Sequence, residues 1–254
     1  MQTIGICKLC QNEKPLLNKS HIIPDFMYES LFDEGHKLYK FAPAELVKGE
    51  GRISRPSSGE YEGGILCKKC DNEIIGGYET YVRNALYGKV EESSDLPQCA
   101  NFITEKGIKY THCKNIHYKE FKLFLLSILW RASISSREFF NEVNLGPYKD
   151  TIRKMVLNGD PKEAEVFPIL MMTWLNDKSF STDVIGKPGI NRKEKGIRYI
   201  FIIAGITYVF HVSPTSLRQD LKDFILLSTD EVRILHVPSG KMKDLFSSYF
   251  GIGK

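Results

Sequence analysis

Two Cys-x-x-Cys pairs, Cys7/Cys10 and Cys67/Cys70, bracket a histidine in the segment Ser20-His21-Ile22-Ile23-Pro24. Thiolates at this spacing turn back onto one ion through a tight loop. Two such pairs supply the four soft ligands of a closed tetrahedral zinc site. A redox dithiol is the competing use of the spacing, but it calls for a βαβ unit around the motif, and neither pair has one. The histidine offers a second chemistry, because a neutral imidazole titrates near working pH and can take a proton from water. His21 also has plainer readings, as a core histidine bonded to a main-chain carbonyl or as a zinc ligand in place of a cysteine.

The elements that must position these residues are short. From Met1 to about Val90 the chain is rich in glycine and turn formers, as expected where a metal substitutes for core. The first pair is followed by a polar turn, Gln11 to Lys14, and the second by a helix start at Asn72. Asp25 to Leu38 has helical spacing, Gly49 to Gly64 reads as a flexible loop, and Tyr78 to Tyr87 as a helix stopped by Gly88. Gly76-Gly77 either breaks the preceding turn or permits a close approach.

The polar segment Glu91 to Pro97 marks a soft boundary, giving residues 1–92 as one module and 93–254 as a helical segment plus an α+β domain. Tyr118 to Phe140 is the strongest helix, with Phe121, Phe124, Leu125, Ile128, Leu129 and Ala132 on one stripe that Leu123, Leu126 and Trp130 widen. Tyr148 to Leu157 is a second helix. Strands follow at Val166 to Trp174, Tyr199 to Ala204 and Ile206 to Val212, the last two joined by an Ala204-Gly205 hairpin turn. Leu217 to Leu227 reads as a helix, Val232 to Val237 as a strand and Lys241 to Phe250 as a closing helix. The second part is therefore α+β, with helices packed on a mainly antiparallel sheet.

At 254 residues the chain can bury a substantial core, and its 42% hydrophobic and 26% charged residues exclude wholesale disorder. No secretory leader or membrane-length apolar run is visible, so a cytoplasmic address without membrane contact is expected. Cys99 and Cys113 need be no more than small buried thiols, although a disulfide between them is possible. The net charge is +4; residues 1–90 carry 12 basic and 12 acidic side chains and residues 91–254 carry 23 and 19. A phosphate-binding surface would therefore be a local patch, and Lys187 to Arg198 is its first candidate, with a solvated hairpin loop as the plainer reading.

The order Cys-x-x-Cys, ten residues, His-Ile-Ile-Pro, an insertion, then Leu66-Cys-x-x-Cys70 and polar Asp71 resembles the zinc-containing branch of the HNH (His-Asn-His) endonucleases over roughly residues 4–90. The resemblance implies a zinc-stabilised treble-clef (ββα-metal) fold and a metal-dependent endonuclease, with DNA as the expected polymer. His21 would end a strand and act as general base on the attacking water. A divalent cation such as Mg²⁺ or Mn²⁺ would offset charge on the phosphate, at family positions that map onto Ser20, Glu62 and Asp71. Ser20 stands where the family commonly has Asp or Glu, and Glu62 and Asp71 where it commonly has Asn or His, so the carboxylates are relocated.

Each also has a structural use, Asp71 as a helix N-cap and Glu62 as a solvated loop residue. The rival class is a non-catalytic treble-clef module that binds nucleic acid or a protein partner. A thiol-based redox sensor is the third reading. A homodimer is open, since nothing in the chain demands one.

Overall fold

The computed structural model describes residues 3–28, 31, 40–41, 59–87, 96–175, 177, 182, 184–192, 196–213, 217, 219–242, 244–245 and 247. The chain begins with a small ribbon, β1 (Ile4–Ile6) against β2 (Glu13–Pro15), and continues into β3 (Ser20–His21). Beyond β4 (Lys40–Phe41) comes β5 (Tyr61–Glu62), which pairs antiparallel with β3. A helical run, α1, then passes through Lys69–Ile75, Gly76–Val82 and Arg83–Tyr87, wound more widely at both ends than in the middle. The hairpin of β6 (Gln98–Ile103) and β7 (Lys109–Lys114) leads into α2 (Tyr118–Ile134) and α3 (Tyr148–Asn158). The remaining strands are β8 (Ile169–Thr173), β9 (Ile185–Asn191), β10 (Arg198–Ile203), β11 (Ile206–His211) and β12 (Val232–His236).

This is a mixed α+β fold. Among the described residues an eight-stranded sheet runs β4-β9-β10-β11-β8-β12-β7-β6. Its pairs are antiparallel except β12 with β8 and β4 with β9. Alternate residues of its central strands enter two different clusters. Ile169, Met171, Tyr199 and Phe201 face a large core that runs from Cys7 through the helices to Val232, crossing residue 92. Leu170, Met172, Ile200 and Ile202 face a second cluster with Trp174, Phe224 and Met242. A sheet covered on both faces explains why β8 and β10 read as nearly unbroken apolar runs.

Helix α2 is buried from Phe121 to Ala132 on all sides, as the width of its apolar stripe requires. It ends at Ile134, with Ser135 extended and a short turn at Glu138–Phe140, so the helix expected through Phe140 is broken by a bend. Helix α3 closes on Gly159 at φ 67°, a left-handed position that suits glycine. The Ala204-Gly205 turn forms as expected, with φ of 49° and 78° and Ile203 paired to Ile206.

Several local expectations are corrected. Asp25–Met27 is a single tight turn, while positions 29–30 and 32–38 of that expected helix lie outside the described residues. Tyr61–Glu62 is a strand inside the expected loop, because its main chain pairs with β3. Gly76 and Gly77 lie within α1 and do not interrupt it. Gln219–Phe224 is a short tight helix followed by a bridge at Ile225, where a longer helix was expected. The basic stretch from Lys187 is strand β9 as far as Asn191, largely buried and paired with β10, while the described pairing with β4 stops at Gly186; Lys193, Glu194 and Lys195 lie outside the described residues. The closing helix from Lys241 falls largely outside them too. Cys99 and Cys113 are not two buried thiols: they are cross-strand partners joined by a disulfide, with the Cys99 residue exposed.

Candidate metal centre and histidine site

The β1–β2 turn carries Cys7 and Cys10. It is closed by hydrogen bonds from Cys7 N to Asn12 O (2.9 Å) and from Gln11 N to Cys7 O (2.9 Å), with Gln11 at φ 61°. Cys67 lies just before α1 and Cys70 in its first turn, so the helix start fixes the second pair. Lys8 N donates to Ile65 O (2.9 Å) and Leu17 N to Leu66 O (2.8 Å), which draws the two loops together. The four ligand sulfurs all lie within 4.8 Å of one another, an arrangement that could hold a metal ion such as zinc.

Cys67 N donates to Cys7 Sγ at 3.4 Å. The Cys7 thiol is pushed down to about 4, first by the Cys70 thiol beside it and then by main-chain N–H groups of Cys10, Cys67 and Leu9, against the opposing effect of burial. Cys70 is pushed up in turn by the Cys7 sulfur, with burial adding to it. One sulfur is thus poised as a thiolate, the form in which cysteine binds metal.

The histidine sits beside this centre, on a separate strand pair. In the β3–β5 register Ser20 opposes Glu62 and His21 opposes Tyr61, whose ring stands edge-on to the imidazole at 6.3 Å between centroids. His21 Nε2 is 3.4 Å from Asp25 Oδ2, and Asp25 Oδ1 in turn accepts the Tyr28 hydroxyl at 2.5 Å. Burial pushes the His21 pKa below its usual value, with Asp25 opposing. The shift favours the neutral ring, the form a base requires. Three polar atoms here are buried without a partner in hydrogen-bond geometry, Ser20 Oγ, His21 Nε2 and Glu79 Oε1, although the last two lie 3.4 Å from Asp25 Oδ2 and 2.8 Å from Arg131 Nη2.

Helix α1 brings Asp71 and Glu79 to the same region. Burial raises the Asp71 carboxyl above the usual carboxylate range, the Arg131 guanidinium holds it down, and Glu79 pushes it up again. The nearby Ser20 hydroxyl adds a smaller lowering. Arg131 comes from α2 and is 1% exposed. Its Nη1 donates to His21 O (2.6 Å), its Nη2 lies 2.8 Å from Glu79 Oε1, and its Nε donates to Ser127 O (3.3 Å). Neither Arg131 nor Asp25 was singled out by the sequence. The available signal was a lone arginine in the apolar run of α2, a place where a charge persists only if it is paired.

Glu62 points elsewhere. Its carboxylate accepts Ser135 Oγ (2.6 Å), Ser136 N (2.9 Å) and Ser136 Oγ (2.9 Å), tying β5 to the end of α2. Its neighbour Glu60 pairs with Arg137 at 3.3 Å. The structure thus brings His21 and Asp71 into one neighbourhood with Ser20, Asp25, Glu79 and Arg131, and leaves Glu62 at its border. Among the described residues only the four cysteines form a group of His, Cys, Asp or Glu close enough to hold an ion. No described helix is long and apolar enough to cross a membrane. Comparison with protein families, with characterised proteins and with solved structures gave no match.

Proposed function

We propose that this chain is a metal-dependent endonuclease of the HNH type, acting on DNA, with zinc on Cys7, Cys10, Cys67 and Cys70 as its structural clamp. The observation that carries this reading is His21 Nε2, buried without a partner in hydrogen-bond geometry and 3.4 Å from the Asp25 carboxylate, on the strand that also carries Ser20. Native interiors rarely leave such atoms unpaired, and they suit a site that receives water or substrate. The order of knuckle, β3–β5 pair and helix starting at the second cysteine pair supports a treble-clef ββα-metal module.

In this reading His21 Nε2 takes a proton from a water whose oxygen attacks phosphorus, while the bond from phosphorus to the departing sugar oxygen breaks and that oxygen is protonated from solvent. Asp25 Oδ2, 3.4 Å from the same nitrogen, stabilises the imidazolium so formed. Asp71 is the carboxylate best placed to bind a divalent cation, with Ser20 as a neutral neighbour. Such a cation supplies positive charge for the crowded phosphate. The free thiols of the four-cysteine site accord with an intracellular setting, whereas the Cys99–Cys113 disulfide accords with an oxidising one.

A second reading has its own support. Glu62 is held by Ser135 and Ser136, and Glu79 lies against Arg131, so two of the nearby carboxylates are already engaged. That favours a zinc-clamped binding module without chemistry. The test is cleavage of plasmid, single-stranded DNA and RNA by the zinc-loaded protein with Mg²⁺, Mn²⁺ or EDTA. Cation-dependent cleavage of DNA is expected; inertness towards every substrate would favour the binding module.

A further inference from the structure

The open edge of the sheet at β6 differs from the edge at the opposite end. Among the described residues β4 contributes two residues to its edge, whereas β6 runs six residues, each of them exposed. Gln98–Ile103 contains no charge and no proline, and its register with β7 runs without a bulge. These are the devices by which natural edge strands block further pairing, and this strand uses none of them. Phe102 and Ile103 are 46% and 64% exposed, on opposite faces of the strand.

The register tells which main-chain groups are free to pair. Cys99 and Cys113 face each other with Cα atoms 4.0 Å apart, the short spacing of a non-hydrogen-bonded pair. Such pairs alternate along an antiparallel ladder, so Cys99, Asn101 and Ile103 turn their N–H and C=O groups away from β7 to the open edge.

We propose that β6 is a homodimerisation edge, two copies of the chain pairing antiparallel about a two-fold axis at Asn101. An isologous contact requires a patch complementary to itself, and this strand has one. With Asn101 opposite its own counterpart, Cys99 of each copy lies opposite Ile103 of the other, and the outward groups of all three residues form hydrogen-bonded pairs. On one face Ile103 packs on the other copy's disulfide. On the other face Phe102, already stacked on Tyr110 at 5.7 Å between centroids, meets the small Ala100 of the second copy. No like charges are brought together within the strand. A foreign extended peptide could use the same edge, but it would lack the pairing of Phe102 with Ala100 that the two-fold axis supplies twice. One strand pair is a small interface, of the size found in weak and transient association.

The experiment is sedimentation of the full-length protein over a hundredfold concentration range, beside Asn101→Lys and Asn101→Pro. The lysine sets two like charges against each other on the axis. The proline removes an outward N–H and leaves the ladder to β7 intact, so the fold is retained. The wild type is expected to rise from the 29.0 kDa of one chain to twice that mass, while both variants keep its circular dichroism and stay at single-chain mass. Amide exchange at Cys99, Asn101 and Ile103 should slow at least tenfold in the concentrated wild type alone. A wild type that is monomeric throughout, or a dimer that both variants retain, would overturn the proposal.

Discussion

Arg131 Nη1 donates a 2.6 Å hydrogen bond to the carbonyl oxygen of His21, across 110 residues of sequence. The same guanidinium lies 2.8 Å from Glu79 Oε1. Helix α2 thereby fixes the main chain of the histidine and one turn of α1 from a single buried charge. The site is assembled from both sides of residue 92, and a module cut there would lose the group that aligns it.

Removing that charge should be costly. Arg131→Met leaves Glu79 and the His21 carbonyl without a partner in the interior, which typically costs about 3–5 kcal/mol. Urea unfolding should show this loss, and the Arg131→Met/Glu79→Gln double variant should lose less than the two single variants together. Additive costs would mean that the pair is not coupled.

The cysteine centre makes a separate prediction. Elemental analysis should find one zinc per chain, and Cys7→Ser or Cys67→Ser should abolish it. Because the centre joins segments 60 residues apart, chelation should lower the melting temperature and free the β1–β2 ribbon first. Full stability after metal removal would show that the four thiols are only packed together.

Much of this centre was legible in the sequence because ligand spacing is local chemistry. Cys7/Cys10 and Cys67/Cys70 specify a turn and a helix start whatever lies between them. The helix at Phe121 to Ala132 and the Ala204-Gly205 hairpin were legible for the same reason, through periodicity and turn length. Tyr61–Glu62 was not, since a two-residue strand has no period and exists only because Ser20 and His21 supply its partner. The β6–β7 hairpin was missed because its strands face solvent and lack clean apolar alternation. Arg131 and Glu62 show the limit most clearly: their roles depend on partners 110 and 73 residues away, which no local pattern encodes.

His211 gives a pH prediction away from the site. Burial, with Arg198 adding to it, pushes its pKa from the ordinary 6.5 down to about 4. The unfolded chain therefore takes up this proton first on acidification. Its contribution to stability is complete above the ordinary value and is lost as pH falls through that window, by ~1.4 kcal/mol per pH unit at most. His211→Gln should be less acid-sensitive than the wild type when urea midpoints at about pH 7 and about pH 5 are compared. An equal loss in both proteins would assign the sensitivity to other groups.

Gly63 tests the close packing behind β3. A Cβ there would stand 2.5 Å from the main-chain oxygen of Asn18, which cannot swing aside as a side chain can. Gly63→Ala should destabilise by about 1–3 kcal/mol. It should also weaken metal retention, because Gly64 N is bonded to Leu17 O (2.8 Å) on the way to the second cysteine pair. Thermal melting with and without chelator reads both effects.

The central claim is that His21 is the base of a nuclease, and the most direct measurement is plasmid cleavage by wild type beside His21→Ala, both zinc-loaded and equally folded. The wild type should cut in Mg²⁺ or Mn²⁺, and the variant should lose at least about a hundredfold in rate, the usual contribution of a general base. Cleavage that survives in the variant unchanged would contradict the assignment of His21, and a wild type that cuts nothing would contradict the nuclease itself.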